Sequence, residues 1–188
     1  MIFETIVAII MLPDKIQEIT MENTHYEIEK KFIIRYPDTE FLKKLPGCEY
    51  TDIEQIYLLN ENGFSERIRK RGRDSEFLYY HTLKKHITDM KRIEKENLIC
   101  ESEYNILKEK ANPQLNVIYK TRYCIPYEGH MLEIDVFPFW KNQAFLEIEL
   151  ESEEEAFSIP DYLEAVRDVT TDRAYTNRSL AEEIPEEI

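Results

Sequence analysis

Seven separate stretches of this chain alternate ionic and apolar side chains with a period of two, which is the period of a β-strand. In "EIEKKF", Glu27, Glu29 and Lys31 share one side, and Ile28 and Phe32 share the other. In "ERIRKRGR", Arg67, Arg69, Arg71 and Arg73 align; in "HTLKKH", Thr82, Lys84 and His86 do; in "RIEKEN", Arg92, Glu94 and Glu96 do. "YKTRY" aligns Lys120 with Arg122, "LEIDVF" aligns Glu133 with Asp135, and "LEIELE" aligns Glu147, Glu149 and Glu151. The opposite faces carry Ile68, Leu83, Ile93, Tyr123, Ile134, Val136, Ile148 and Leu150. Same-face neighbours on a strand lie roughly 6.6–6.8 Å apart, so like charges crowd along single strands. One such strand is a solvated sheet face. Seven make a sheet with one wholly ionic side.

The rest of the chain fits that sheet into one domain. Strand-like runs fall near 50–59, 64–73, 76–87, 91–99, 115–126, 130–137 and 143–151. "YPDTEFLKKL" predicts a helix capped by Asp38, and "ESEYNILKEKANP" predicts one stopped at Asn112-Pro113. "IPDYLEAVRDV" reads as a late helix, and Thr176 or Asn177 caps another over "RSLAEEI". The fold class is α+β, dominated by antiparallel strands. With 188 residues and 43% hydrophobic content, a single core is affordable. The opening "MIFETIVAIIMLP" carries Glu4, has no basic leader, and is too short to span a bilayer. Residues 1–20 are read as an N-terminal extension, an added helix or the product of an upstream start. The catalytic unit is expected at 21–188, with Met21 a plausible native start.

Charge narrows the ligand. The net charge of −14 argues against a nucleic-acid polymer or a membrane as partner. Yet residues 67–96 hold ten Lys/Arg against five Asp/Glu, while 147–188 hold fourteen acids against three arginines. A basic middle in an acidic protein suits a small anion. Cys48, Cys100 and Cys124 form no CxxC pair, and His25, His81, His86 and His130 have no ligand spacing. A reducing cytoplasm is the expected location.

Two architectures satisfy the pattern: an open sheet showing its charges to water, or a barrel with a charged lumen and helices outside. Like charge along a strand is unfavourable unless something bound offsets it. Paired carboxylates suit a divalent cation, and rows of Arg and Lys suit phosphate. Together they describe a metal–polyphosphate site.

The ordered motifs resemble the CYTH domain of the triphosphate tunnel metalloenzymes. "EIEKK" matches its Glu-x-Glu-x-Lys signature. Arg-x-Arg, Thr-x-Lys, Glu-x-Glu, Lys-x-Arg-Tyr, Glu-x-Asp-x-Phe and Glu-x-Glu follow in the family's order. "IEQIYL" and "VTTDRAYTNRSLA" resemble its second strand and C-terminal segment, so the likeness covers about residues 25–181. The resemblance implies a closed eight-stranded antiparallel β-barrel that binds a triphosphate with Mg²⁺ or Mn²⁺. It implies Glu27, Glu29, Glu147 and Glu149 as principal metal carboxylates, with Glu94, Glu96 and Asp135 as further acids. Lys31, Arg67, Arg69, Lys84, Lys120 and Arg122 would grip phosphate, with Lys120, Arg122 and Lys31 nearest the chemistry. Arg71, Arg73 and Arg92 are read as rim or ion-pair residues, and Tyr57 and Tyr123 as packing aromatics.

The implied activity is metal-dependent hydrolysis of inorganic triphosphate or a triphosphate ester such as ATP or thiamine triphosphate. The alternatives are an adenylate cyclase forming cyclic AMP and pyrophosphate, and a non-catalytic polyphosphate-binding module. Trp140 stands alone beside Pro138 and does not define a purine pocket. A monomer or a homodimer is compatible with all three.

Overall fold

The computed structural model describes residues 8–12, 15–19, 25–60, 65–86 and 91–188. All seven alternating stretches lie on strands of one antiparallel sheet. Its members are β3 (His25–Arg35), β4 (Glu49–Tyr57), β5 (Ser65–Arg73), β6 (Glu76–His86) and β7 (Lys91–Ile99). They continue with β8 (Ile118–Tyr127), β9 (His130–Val136), β10 (Gln143–Leu150) and β11 (Ala165–Asp168). β1 (Ala8–Leu12) and β2 (Lys15–Ile19) form a two-stranded sheet of their own, so this stretch is extended rather than helical.

The large sheet runs β10-β9-β8-β4-β5-β6-β7-β3-β11, and β10 also pairs with β3 from Gln143↔Arg35 to Leu150↔Ile28. The expected closed eight-stranded barrel with a helical coat is therefore corrected. The sheet has nine strands and ends in an exposed edge at β11. β7 meets β3 over only four pairs, from His25↔Glu94 to Ile28↔Lys91. Beyond them β11 takes that side of β3 at Phe32–Ile34. Helices are few and short: α1 (Thr39–Leu42), α2 (Glu101–Lys108) and α3 (Asn177–Glu182). The late helix expected over "IPDYLEAVRDV" does not form: its first half is turn, and its second half is β11, which finds ladder partners on the exposed side of β3.

Local chemistry accounts for the punctuation. The Asp38 carboxylate accepts from the Glu40 and Phe41 amides and starts α1; the Thr176 hydroxyl accepts from Ser179 and starts α3. β5 turns into β6 through Asp74 and Ser75, both at positive φ, the two-residue geometry that matches strand twist. Just before it, a Cβ on Gly72 would stand 1.9 Å from the Glu76 carbonyl oxygen, so only glycine allows that approach.

The apolar rows pack away from the ionic interior. Ile34, Ile134, Leu146 and Ile148 join Leu42 of α1 and Leu163 in one cluster. Ile56 and Ile68 hold Tyr104 of α2 in another. A third, with Phe137, Phe145, Trp140, Tyr175 and Leu180, closes one end of the interior. Trp140 packs edge-to-face on Phe137 and Phe145, and is a core residue. Tyr123 is likewise core, stacked on Tyr50.

Candidate functional site

The ionic rows meet around a cavity of about 370 Å³. One wall comes from β5, β6 and β7, with Arg67, Arg69 and Arg71 beside Lys84, Glu94 and Glu96. The other comes from β3, β8 and β10, with Glu29 and Lys31, Lys120 and Arg122, Glu147 and Glu149. Period-two alternation puts these side chains on one face, and the ladder registers bring the faces together. Eleven of the thirteen predicted site residues thus line one space. Asp135 does not line it: it lies beneath, with no exposed surface. The side chain of Glu27 lies outside the described residues, though its backbone pairs with Arg92. Arg73 leaves the row and lies over the Tyr50 ring, 4.3 Å from its centroid.

The interior is a charge network. Arg122 donates to both oxygens of Asp135 (2.7 and 2.6 Å) and to Glu147 (2.6 Å), and it also pairs with Glu133. Lys120 reaches Asp135 at 2.5 Å, and Lys31 reaches Glu147 at 2.8 Å. Across the cavity Glu94 pairs with Arg67 (3.5 Å) and Lys84, while Glu96 pairs with Arg69 and accepts from the Thr82 hydroxyl (2.7 Å). The Nε atoms of Arg67 and Arg69 are buried and have no hydrogen-bond partner among the described residues. Two fixed donors therefore stay unsatisfied in a cationic wall, an arrangement that suits an anion.

Burial and charge pull the titrating groups apart. Burial and the Arg122 charge push the Lys120 ammonium down to about 8, against Asp135 and Glu147. Burial would raise Glu147, but Lys31, Arg122 and Lys120 outweigh it and hold it well below the ordinary carboxylate range. Asp135 is lowered in the same way, burial losing to Arg122 and Lys120. Burial, then Arg69 next to it, lowers Arg67. That guanidinium gains from any added negative charge.

The carboxylates on the cavity wall are the donors a hard cation would meet. Glu29 and Glu149 are direct cross-strand partners, so two carboxylates face each other with Glu147 one step along. An all-oxygen donor set suits Mg²⁺ or Mn²⁺ and disfavours softer ions. Among the described residues no three His, Cys, Asp or Glu converge as a ready-made cage. Mg²⁺ needs none, since it keeps waters and takes one or two carboxylates plus substrate phosphates. The residues fit such an ion.

Sequence reasoning passed over several residues lining the cavity. Glu133 shares the Asp135 row, and that parity was signal enough to include it. Tyr57 lines the wall and its hydroxyl accepts from Gln55 at 3.0 Å. Thr170, Asp172, Asn177 and Arg178 come from the C-terminal segment, which crosses one end of the interior. Val169 donates its amide to the Lys31 carbonyl at 2.9 Å, which ties that segment to β3. Nothing local in "VTTDRAYTNRSLA" announces this path.

The fold is similar to that of solved structures. The inorganic triphosphatase NE1496 is 28% identical over 85% of this chain and 97% of its own, with a TM-score of 0.55. A conserved hypothetical protein of Pyrococcus furiosus is 25% identical over 68% of this chain and 80% of its own, with a TM-score of 0.50. PH1819 of Pyrococcus horikoshii OT3 shares the fold, with 23% identity over 68% of this chain and 80% of its own and a TM-score of 0.51. No protein-family model and no curated protein matches the sequence. The ordered motif set and the likeness to the inorganic triphosphatase NE1496 are consistent with the CYTH superfamily. No described helix is long and apolar enough to cross a membrane.

Proposed function

We propose that this protein hydrolyses a phosphoanhydride bond of a triphosphate, in inorganic triphosphate or a triphosphate ester, with Mg²⁺ or Mn²⁺. The observation that carries the reading is the cationic wall with two buried, unpartnered guanidinium donors facing opposed carboxylates across one cavity. The likeness to an inorganic triphosphatase supports it. Arg67, Arg69, Lys84, Lys31, Lys120 and Arg122 bind phosphate oxygens and fix the chain of phosphates in one orientation. Because charge spreads over the peripheral oxygens as the anhydride breaks, these fixed cations favour the transition state over the free substrate. Glu29, Glu147 and Glu149 would hold the metal, with Glu27 completing the motif. When bound, such a cation supplies positive charge against the phosphate oxygens and acts as a Lewis acid.

The attacking group is water. Its oxygen bonds to phosphorus, the bridging P–O bond breaks, and pyrophosphate leaves from inorganic triphosphate. With its pKa pushed down to about 8, Lys120 is in part the neutral amine near neutral pH, and that form can take up the proton that water releases. The deciding experiment incubates the pure protein with inorganic triphosphate, and separately with ATP, in Mg²⁺ or Mn²⁺. Release of phosphate and pyrophosphate is expected. Cyclic AMP from ATP with triphosphate left intact would make the protein a cyclase. Tight binding without turnover would make it a polyphosphate-binding module.

A further inference from the structure

The sheet has a second face, and helices cover it only in part. On β4, Ile53, Gln55 and Tyr57 pair with Arg71, Arg69 and Arg67 of the ionic row, so Asp52 and Glu54 turn outward. The registers place two rows on that outer face. One runs Phe77, Gly72, Asp52, Thr121, and the next runs Lys70, Glu54, Tyr119. To one side Tyr50 and Tyr123 pack in the cluster with Leu42 of α1; to the other, Ile56 and Ile68 pack with Tyr104 of α2. Between these covered patches lies a cavity of about 740 Å³, twice the volume of the ionic one. Gly72 contributes no side chain to fill it.

Its walls are aromatic and its charges are uneven. Tyr36 and Tyr119 line it at 42% and 52% exposed, with Phe77 beside them. A single exposed aromatic is ordinary on a protein surface; three around one concavity are not. The Asp52 carboxylate accepts from the Thr121 hydroxyl at 2.8 Å and lies 3.9 Å from Arg73. Glu54 accepts from Lys108 and from the Tyr104 hydroxyl, at 2.8 Å each. Both acids therefore have partners. Lys70 and Lys141, in the same wall, make no ion pair among the described residues, and the Lys70 ammonium lies 3.9 Å from the Phe77 ring centroid.

We infer that this outer cavity binds a small aromatic carboxylate. Tyrosine and phenylalanine faces suit a planar ring, and two ammoniums without a carboxylate of their own suit one negative charge at its edge. The volume falls within the roughly 300–1,000 Å³ of small-molecule sites. The two cavities share Lys120 alone, whose ammonium is turned to Asp135 on the ionic side. Binding here is thus independent of what the interior does.

Calorimetry with three probes tests the site: naphthalene-2-carboxylate, its neutral carboxamide, and octanoate as an aliphatic carboxylate. The aromatic carboxylate should bind about fivefold tighter than the carboxamide, the order of one exposed charge contact, and about tenfold tighter than octanoate. Tyr119→Ala should weaken it about tenfold, and Lys70→Gln/Lys141→Gln should bring the carboxylate-to-carboxamide ratio to near one. Saturating inorganic triphosphate should leave its affinity unchanged. Displacement by triphosphate would put the probe in the ionic cavity and overturn the inference. So would absence of binding, equal binding of octanoate, or variants that bind as the natural protein does. A dimer that Tyr119→Ala splits in sedimentation would make a second copy the occupant, and would overturn it as well.

Discussion

Asp135 sits with no exposed surface beneath the cavity, and two cations converge on its two oxygens. Neutralising it leaves Lys120 and Arg122 buried with less negative charge than they need. Asp135→Asn should therefore destabilise the fold by about 3–5 kcal/mol, read from denaturant midpoints. The pH dependence has the same origin. Asp135 and Glu147 are held below their ordinary values, so their contribution to stability is complete above the unfolded carboxylate pKa of roughly 4. It is lost as the pH falls from there through their folded values. Thermal melts from pH 6 down to pH 3 should show this loss, and Asp135→Asn should flatten it. Glu29 plays a different part, since it faces Glu149 at the cavity surface. Glu29→Gln should cut the rate on triphosphate at least tenfold and raise the Mn²⁺ needed for half-maximal activity, because an amide is a weak ligand for a hard cation. An unchanged metal titration would remove Glu29 from the metal set. At this scale the sequence was informative about sides and silent about depth. Row parity brought Glu29, Arg69 and Glu149 to one cavity, but the same parity could not tell Asp135 below the surface from Glu133 on it.

Among the elements, the β5–β6 hairpin sets the register on which the cation wall depends. Gly72 is its sterically constrained point, because an added Cβ meets the Glu76 backbone and no side chain can yield. Gly72→Ala should cost about 2–3 kcal/mol, the range for a backbone forced from its conformation. It should also lower activity more than a surface mutation of equal cost, since Arg67 and Arg69 move with the hairpin. Intact stability in a urea titration would show that the turn relaxes freely. The strands were legible because alternation is local, and α1, α2 and α3 were legible from their caps and stops. β11 was not. Leu163 is buried against the core while Ala165, Val166, Arg167 and Asp168 are exposed, a pattern that local sequence cannot separate from an amphipathic helix. The strand exists because the Arg35 amide and the Lys31 carbonyl bond to the segment that holds it, with Glu164 and Val169 as partners at 2.9 Å each.

For the whole molecule, alternation required one ionic face and left open how the sheet would bend. That outcome depends on long-range ladders: β10 pairs on both sides, whereas β3 divides one side between β7 and β11. No local pattern encodes such a division: the resemblance implied a uniform eight-stranded barrel, and a nine-stranded sheet with an edge is found. The same ladders bear on the N-terminal residues. β1 and β2 pair with each other and belong to no ladder of the large sheet. Among the described residues the three core clusters draw nothing from before Ile28. The four pairs joining β3 to β7 begin at His25, so a chain starting at Met21 keeps every one of them. Removing residues 1–20 should then shift stability by no more than a surface change does, about 0.5 kcal/mol, or about 1–2 °C in Tm for a protein of this size. Triphosphate turnover by that truncated protein should stay within about twofold, since 0.5 kcal/mol is little more than a factor of two in any equilibrium the segment biases. A melt lowered by ten degrees, or a protein that no longer folds, would make the hairpin part of the core and move the boundary of the catalytic unit to the start of the chain.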